Sequence, residues 1–426
     1  MADDSFDAIV VGAGLAGSAA AYTMAQAGRE VLLVERATAP GAKSMSGGRI
    51  YAYSLAKLWP DFAQSAPLQR KVVRETVSMV QGRNLADFSL FAPDTDGNES
   101  YTVLRQEFDN WAAGQAVRAG ANLICSISAD SLFIKNNQVA GIMAGGESVE
   151  AKVVILAEGA NGILARAAGL RAEYTPQQVA IGFKEIIELP EEIINQRFNL
   201  QTGQGAARLM AGSMTDSLAT SGAFLYTNKN SLSLGMVISV ASAARSRVPV
   251  HELLENFKCH PAIAPLLQGG KTVEYSAHMV PEGWDRKIQL CADNLMLAGD
   301  VASMVINHGF TVRGMDLALL AGQAAGRAVL ACNGRYDAKT LGAAYQRSLT
   351  ENNVITQLKA YRHMPEFLAN PRLTRDYPKL AVDIFKDVFR FDNSPPRRLM
   401  GKILPRLLKV GPLNLLKDAW SARRAL

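Results

Sequence analysis

Two apolar runs, Phe6 to Val11 and Val31 to Glu35, bracket an alanine-rich stretch from Gly17 to Ala27 that Gly28 closes. The runs predict strands and the stretch between them a helix, so the chain opens on a βαβ unit. Gly41 to Tyr53 is rich in glycine and serine, too polar for core and too long for a simple turn, and reads as a connection. A helix is expected from about Gln106 to Ala119, with Gly120 as its stop. Alternation from Leu123 to Glu150 predicts a meander that turns at Asn136-Asn137. Val153 to Leu156 has the pattern of a buried strand, and it feeds a polar loop from Ala157 to Gly162.

The pattern changes from about Val179 to Val280. Ala223 to Thr227 and Ser231 to Val240 read as strands around Asn228-Lys229-Asn230, and Lys271 to Val280 as a third. A helix from Val250 to Lys258 lies between them. Such a run predicts a separate antiparallel sheet that faces substrate. A short strand, Asn294 to Ala298, then ends at Gly299-Asp300, a small-residue helix covers Met315 to Leu330, and the chain reads as helical beyond Asn333. The expected division is a cofactor domain in two parts, 1–178 and 284–335, a sheet domain over 179–283, and a helical C-terminal region over 336–426.

Composition adds bounds. A chain of 426 residues is expected to form two or three lobes. No run of about 18 apolar residues is present, so a spanning helix is not expected. The nearest imitation, Ala8 to Ala27, is broken by glycines and preceded by Asp3, Asp4 and Asp7, the reverse of a basic signal-peptide head. The mature protein is therefore expected to begin at Met1 and to reside in the cytoplasm. Cys125, Cys259, Cys291 and Cys332 never form a C-x-x-C pair, which argues against a zinc site or an iron-sulfur cluster carried by this chain alone.

Location changes the meaning of the +6 net charge. From Arg397 to Leu426 stand eight lysines and arginines against one aspartate, a local +7 that leaves the preceding 396 residues at −1. In this tail Leu399, Ile403, Leu407, Leu408, Leu413, Leu416 and Trp420 alternate with Arg398, Lys402, Arg406, Lys409 and Lys417, with Pro405 and Pro412 dividing the surface. Such a segment suits packing on its own domain, docking of an acidic protein, or an anionic membrane surface. No basic and aromatic surface recurs elsewhere, so nucleic acid is not expected.

Chemistry enters at Gly12-Ala13-Gly14-Leu15-Ala16-Gly17. In this G-x-G-x-x-G turn Gly12 permits the tight turn, Gly14 lets backbone approach a pyrophosphate, and Gly17 lets helix pack on strand. Glu35 ends the second strand 18 residues after Gly17, placed to accept ribose hydroxyls and to disfavour a 2′-phosphate. Ala16 and Arg36 belong to the same expected site. The choice of FAD over NAD rests on later segments. Leu295 to Asp300 puts a carboxylate at a strand end, suited to a ribityl chain or, more simply, to capping a helix. Glu158 and Gly159 follow another strand end, where FAD oxidoreductases support the cofactor.

The chain resembles the FixC-type flavoproteins, relatives of electron-transfer-flavoprotein:quinone oxidoreductase and of the geranylgeranyl reductases. The resemblance lies in Asp7 to Gly17, Ala42 to Tyr53, Tyr101 to Trp111, Gly222 to Asn228, Tyr275 to Gly283, Gly299 to Ala318 and the tail. It implies an α/β fold, with a Rossmann-like FAD domain of the glutathione-reductase-2 and p-hydroxybenzoate-hydroxylase type, an antiparallel-sheet domain and a helical C-terminal region.

Carried over by motif, Arg105 would brace the FAD pyrophosphate, a surface arginine being the alternative. Gly47, Gly48 and Arg49 would lie beside the isoalloxazine, a simple flexible loop being the alternative. His308 to Met315, with Gly309, Phe310, Arg313 and Gly314, would present helix-start amides to the ring edge and favour its reduced form, Arg313 adding positive charge. Phe310 could instead be ordinary core. His251, His260 and His363 read as structural, whereas His278 and His308 are candidates for proton transfer.

The implied circuit runs from an electron-transfer flavoprotein through FAD to a quinone or a separate ferredoxin-like protein, with peripheral membrane contact through the tail as a further option. A second G-x-G-x-x-G for a nicotinamide is missing. The alternative is an FAD reductase or monooxygenase acting on a lipid-like or aromatic small molecule.

Overall fold

The computed structural model describes residues 5–45, 48–94, 97–213, 221–246, 248–309, 311–391 and 398–425. The chain begins with β1 (Phe6–Val11), α1 (Leu15–Ala25) and β2 (Val31–Val34), the two strands parallel from Ala8↔Val31 to Val11↔Val34. It then leaves for a second sheet through β3 (Gly48–Tyr51), β4 (Leu68–Gln81), β5 (Asn84–Phe91) and β6 (Ser100–Val103). Next α2 (Arg105–Arg118), stopped by Gly120 at φ 109°, returns it to β7 (Asn122–Ile124), parallel to β2. The meander follows as β8 (Ala129–Lys135), β9 (Gln138–Ala144) and β10 (Glu147–Leu156), whose second half runs parallel to β1.

A second excursion supplies β11 (Val179–Glu188), β12 (Gln204–Ser213), β13 (Ser221–Thr227), β14 (Ser231–Ser239), α3 (Val250–Lys258) and β15 (Lys271–Pro281). The return is through β16 (Cys291–Ala292) and β17 (Leu295–Leu297) to α4 (Met315–Ala331). The C-terminal region holds α5 (Ala338–Glu351), α6 (Asp376–Val388), α7 (Leu399–Val410) and α8 (Pro412–Ala425).

The first sheet has the order β16-β17-β10-β1-β2-β7, with β8 and β9 attached through β10. Its central strands are buried on both faces, which is why they read as unbroken apolar runs. The second sheet has the order β15-β11-β14-β13-β12-β4-β6-β3, with β5 beside β4. It is therefore not confined to 179–283, because residues 48–103 contribute four strands. Nor is it wholly antiparallel, since β12 and β4 run parallel. The Gly41 to Tyr53 connection likewise ends in a strand, Gly48 to Tyr51 pairing with Val103 to Ser100. Those polar residues meet strand partners only after the chain has folded back, so local pattern could not reveal them.

The two layers of the first domain meet at unusually close range. A Cβ at Gly322 of α4 would stand 2.0 Å from the Ala16 carbonyl oxygen of α1, and one at Gly326 would stand 2.9 Å from that of Ala20. Alanine and glycine on α1 leave no stripe to define an exposed face, so the helix is buried along most of its length between sheet and α4.

The tail divides at one of its two expected prolines. Pro405 lies inside α7 and is exposed, as is Gly401, whose carbonyl the proline leaves without a helical donor and which water can satisfy. The division falls at Pro412, which begins α8 directly after Gly411 at φ 93°. Buried Asp418 fixes α8 by accepting from Arg372 and Tyr377, and these hydrogen bonds hold its carboxyl down at about 2. Among the described residues no helix is long and apolar enough to cross a membrane.

Replacing Gly322 by Val forces side-chain atoms into the α1 backbone. The apparent denaturant midpoint is expected to fall by the equivalent of about 1–3 kcal/mol, the cost of overpacking a close-packed interface. Circular dichroism during chemical unfolding checks this, and an unchanged midpoint would contradict the α1–α4 contact.

Candidate functional site

A cavity of ≈ 1220 Å³ runs from the β1–α1 turn to the inner face of the second sheet. At the end formed by the β1–α1 turn the three glycines differ in what surrounds them. Gly12, φ 102°, has its Cβ position 2.5 Å from the Ala157 oxygen, so only glycine lets β1 and β10 deliver their loops side by side. A Cβ on Gly17 would sit 1.9 Å from the Gly12 oxygen, which makes it the residue that seats α1 on the turn. Gly14 is the opposite case. Its Cβ position meets no atom within 4 Å, and it caps a helix start that has no side-chain cap. The space beside the α1 amides is therefore open, and an anion is what free helix-start N–H groups stabilise.

Glu35 first serves the protein. Its two carboxylate oxygens accept from the Ala13 N–H at 2.9 Å and the Ala37 N–H at 2.8 Å, which locks the turn to the end of β2. Each oxygen keeps a second lone-pair direction for a hydroxyl. Arg36 and Ala16 line the same end of the cavity.

Arg105 and Asp300 face the cavity farther along. Burial raises the Asp300 carboxyl above its ordinary range, opposed by the nearby positive charge of Arg105. Arg105 is no solvated surface arginine. It donates to Asp109 through Nε at 2.8 Å and Nη2 at 2.7 Å, and it draws Ser44 into the network. Glu158 lines the cavity, yet its oxygens accept from the Leu164 and Ala165 N–H groups and cap the short helix Ile163–Ala167. Its neighbour Gly159 takes φ 71° at the loop apex.

At the far end Gly48 and Arg49 lie on β3, an ordered strand rather than a flexible loop. A Cβ on Gly48 would meet Met315 Sδ at 2.8 Å. Arg49 is ion-paired with Glu75, donates to Ser100 at 2.9 Å and covers the Tyr51 ring. Gly309 and Gly314 also line this end, and Gly314 caps α4 without a side-chain cap. Gly47 and Phe310 lie outside the described residues.

Four expected site residues do not line the cavity. Gly17 packs α1 as described, and Gly299 does a related task, its Cβ position 2.8 Å from Ala16 Cβ. Arg313 is ion-paired with Asp316 and donates to Tyr53 Oη at 2.8 Å, so the positive charge expected of it is matched within the fold. His308 stacks on Tyr361 with centroids 4.2 Å apart, and burial, with Arg313 nearby, pushes its ring below the ordinary histidine range. His278 does line the cavity, with Nδ1 2.7 Å from the Met279 oxygen. His260 is structural, bridging the Gly82 oxygen and the Ala262 N–H.

Three cavity residues were not visible as site residues in the sequence. Tyr226, on β13, has its hydroxyl pushed up to about 12 by burial. Burial also raises Glu282, which accepts from Asn307 at 3.2 Å. Lys184 stands buried on β11 and lines the cavity. A lysine inside the run Val179 to Ile187 was the one available signal.

A nucleotide-binding sheet joined through one cavity to a second, largely antiparallel sheet defines an FAD-dependent oxidoreductase, and residues 7–220 match the family described as FAD dependent oxidoreductase. The residues fit that cofactor, since the open space at Gly14 adjoins uncapped helix amides and the cavity continues to the second sheet. Residues 179–280 match the ETF-QO ubiquinone-binding family and residues 364–426 the ETF-QO/FixC family C-terminal domain.

The chain is 46% identical over 421 residues to Protein FixC of Escherichia coli (strain K12), covering 98% of each. It is 45% identical over 430 residues to the probable electron transfer flavoprotein-quinone oxidoreductase YdiS of the same strain, covering 100% of each. The chain belongs to the ETF-QO/FixC family. In fold it is similar to a geranylgeranyl bacteriochlorophyll reductase-like protein from Thermoplasma acidophilum, with TM-score 0.72, 20% identity and coverage of 98% and 99% of the two chains.

Gly14→Val fills space that no protein atom occupies, so the variant is expected to fold and to lose FAD affinity by about tenfold or more. Asp300→Ala is expected to weaken retention more modestly. Flavin absorbance per folded protein after desalting measures both, and a full flavin complement in Gly14→Val would contradict the assignment.

Proposed function

We propose that this flavoenzyme takes electrons from an electron-transfer flavoprotein and passes them to a quinone. The observation that carries the reading is the shared cavity: the segment that matches a ubiquinone-binding family forms the wall opposite the nucleotide turn. Gly14 and the α1 amides would hold the pyrophosphate, Glu35 a ribose, Asp300 the ribityl chain, and Gly48 and Gly314 the flat ring. Bound FAD supplies the electron chemistry, and the chain sets its position, the surrounding charge and water access.

The surroundings suit an apolar acceptor. Leu209, Val237, Val312 and Leu368 line the cavity toward the second sheet and the C-terminal region. Two nearby arginines already carry partners, Arg49 with Glu75 and Arg105 with Asp109, so the cavity can admit a neutral ring without stranding those charges.

The tail supports peripheral contact with an anionic membrane, where such an acceptor would dissolve. Met400, Leu404 and Leu408 form an exposed stripe on α7, and Leu413, Leu416 and Trp420 another on α8. Lys409, Lys417, Arg423 and Arg424 stand on the same two helices, while Arg406 is paired back to Asp383 and Asp387. Exposed apolar stripes beside lysine and arginine are what an interface between headgroups and acyl chains accepts.

Anaerobic stopped-flow mixing tests the circuit. Reduced electron-transfer flavoprotein is expected to bleach the FAD, and a short-chain ubiquinone analogue to restore its colour. Bleaching by NADPH that a lipid-like or aromatic compound accelerates would favour the reductase or monooxygenase reading, and reoxidation by a ferredoxin-like protein but not by quinone would reassign the acceptor. For the tail, Leu404→Ser with Leu413→Ser is expected to reduce sedimentation with phosphatidylglycerol vesicles at least about fivefold. Equal sedimentation of the two proteins would remove the membrane assignment.

A further inference from the structure

Lys184 is the largest charged anomaly of the cavity. It is 1% exposed, on the strand between β14 and β15, and it faces the cavity rather than the apolar core on the other side of the sheet. The fold makes room for it. Opposite on β14 stands Gly235, where a Cβ would come within 2.7 Å of Lys184 Cβ and 2.3 Å of Phe224 Cζ. Its Nζ reaches to 5.8 Å from the Phe224 ring centroid. Two residues away on the same face, Gly182 admits Met45, with 3.0 Å from its Cβ position to Met45 Cε. Lys184 thus borders the segment leading into Gly48, at the end of the cavity assigned to the flat ring.

Burial and the nearby Arg105 favour a neutral amine. Burial is the largest influence and Arg105 of α2 acts in the same direction, while Glu274 of β15 opposes them, so the ammonium is held well below the ordinary lysine range. Other ionisable groups line this cavity, among them His278 on β15, Glu282 just after it, Tyr226 on β13, Arg49 on β3, Asp300 after β17 and Arg245 after β14. Negative charge arriving in a low-dielectric site reverses the balance, because a buried ammonium is stabilised by an opposite charge beside it.

We propose that Lys184 is the redox-linked proton site of this enzyme. Its Nζ takes one proton from solvent as two electrons and one proton are taken up on bound FAD, and it releases that proton when the electrons leave. For a quinone acceptor the balance closes: two C=O groups gain two electrons and two protons, one proton from the cofactor and one from Lys184, and become two O–H groups. That final transfer rests on the acceptor assignment above. The linkage between reduction and protonation does not.

The test is the midpoint potential of the FAD-loaded protein, measured by anaerobic titration with reference dyes between about pH 7.5 and 9. One proton per two electrons shifts the potential by about 30 mV for each tenfold change in proton activity, and two protons by about twice that. The native protein is expected to show the two-proton slope. Lys184→Met is expected to show the one-proton slope, and so is Lys184→Arg, whose charge does not titrate. His278→Gln should leave the native slope unchanged.

A one-proton slope in the native protein overturns the proposal even if the variants fail to hold FAD. So does a two-proton slope in Lys184→Met, or a slope lost in His278→Gln and kept in Lys184→Met. Neither electron donor nor quinone is present in this titration. A protein that keeps the slope but fails to reduce quinone would sink the acceptor assignment and leave the role of Lys184 intact.

Discussion

Everything in the first domain depends on how closely the backbone of α1 approaches its neighbours. Gly17 brings the helix start to within contact of the Gly12 carbonyl, and Gly322 brings α4 against the Ala16 carbonyl. At such range a single methyl group is too large, so the small-residue composition of both helices is a steric requirement. The result is a helix whose first amides are held rigidly beside empty space at Gly14. A phosphate needs that arrangement, and a looser interface would leave the amides free to turn elsewhere.

The far end of the cavity is built by a different logic, that of charges balanced before any ligand arrives. Arg49 meets Glu75, Arg105 meets Asp109, and Arg313 meets Asp316 and Tyr53. Arg49–Glu75 joins β3 to β4, whereas Arg105–Asp109 lies within α2 and Arg313–Asp316 spans the start of α4. Asp300, Glu282 and Tyr226 are shifted toward their neutral forms by burial. A site of this kind tolerates an apolar ring and responds strongly to added charge, because little water is available to screen it.

The C-terminal region contributes in two ways. Residues such as Pro365 and Leu368 close the cavity, and the helices beyond them carry apolar side chains outward. Asp418, held by Arg372 and Tyr377, ties the last helix to the segment that follows those lining residues.

Local pattern by itself determined the opening βαβ unit, the helices over Val250–Lys258 and Met315–Ala331, and the strand before Asp300, because each is specified by its own periodicity and stop residues. Within the glycine turn only the contact of Gly17 with the Gly12 carbonyl is local, whereas Gly12 is required by Ala157 at the end of β10. The resemblance, carried by several separated motifs, pointed to FAD and to the family.

Only the tertiary structure decided that residues 48–103 belong to the second sheet, since their link to the rest of it is the pairing of β4 with β12, more than a hundred residues away. It also decided that Glu158 caps a helix, that Arg313 is matched by Asp316, and that Lys184 faces a cavity instead of solvent. Charge pairing and burial arise between distant segments, and no spacing along the chain encodes them.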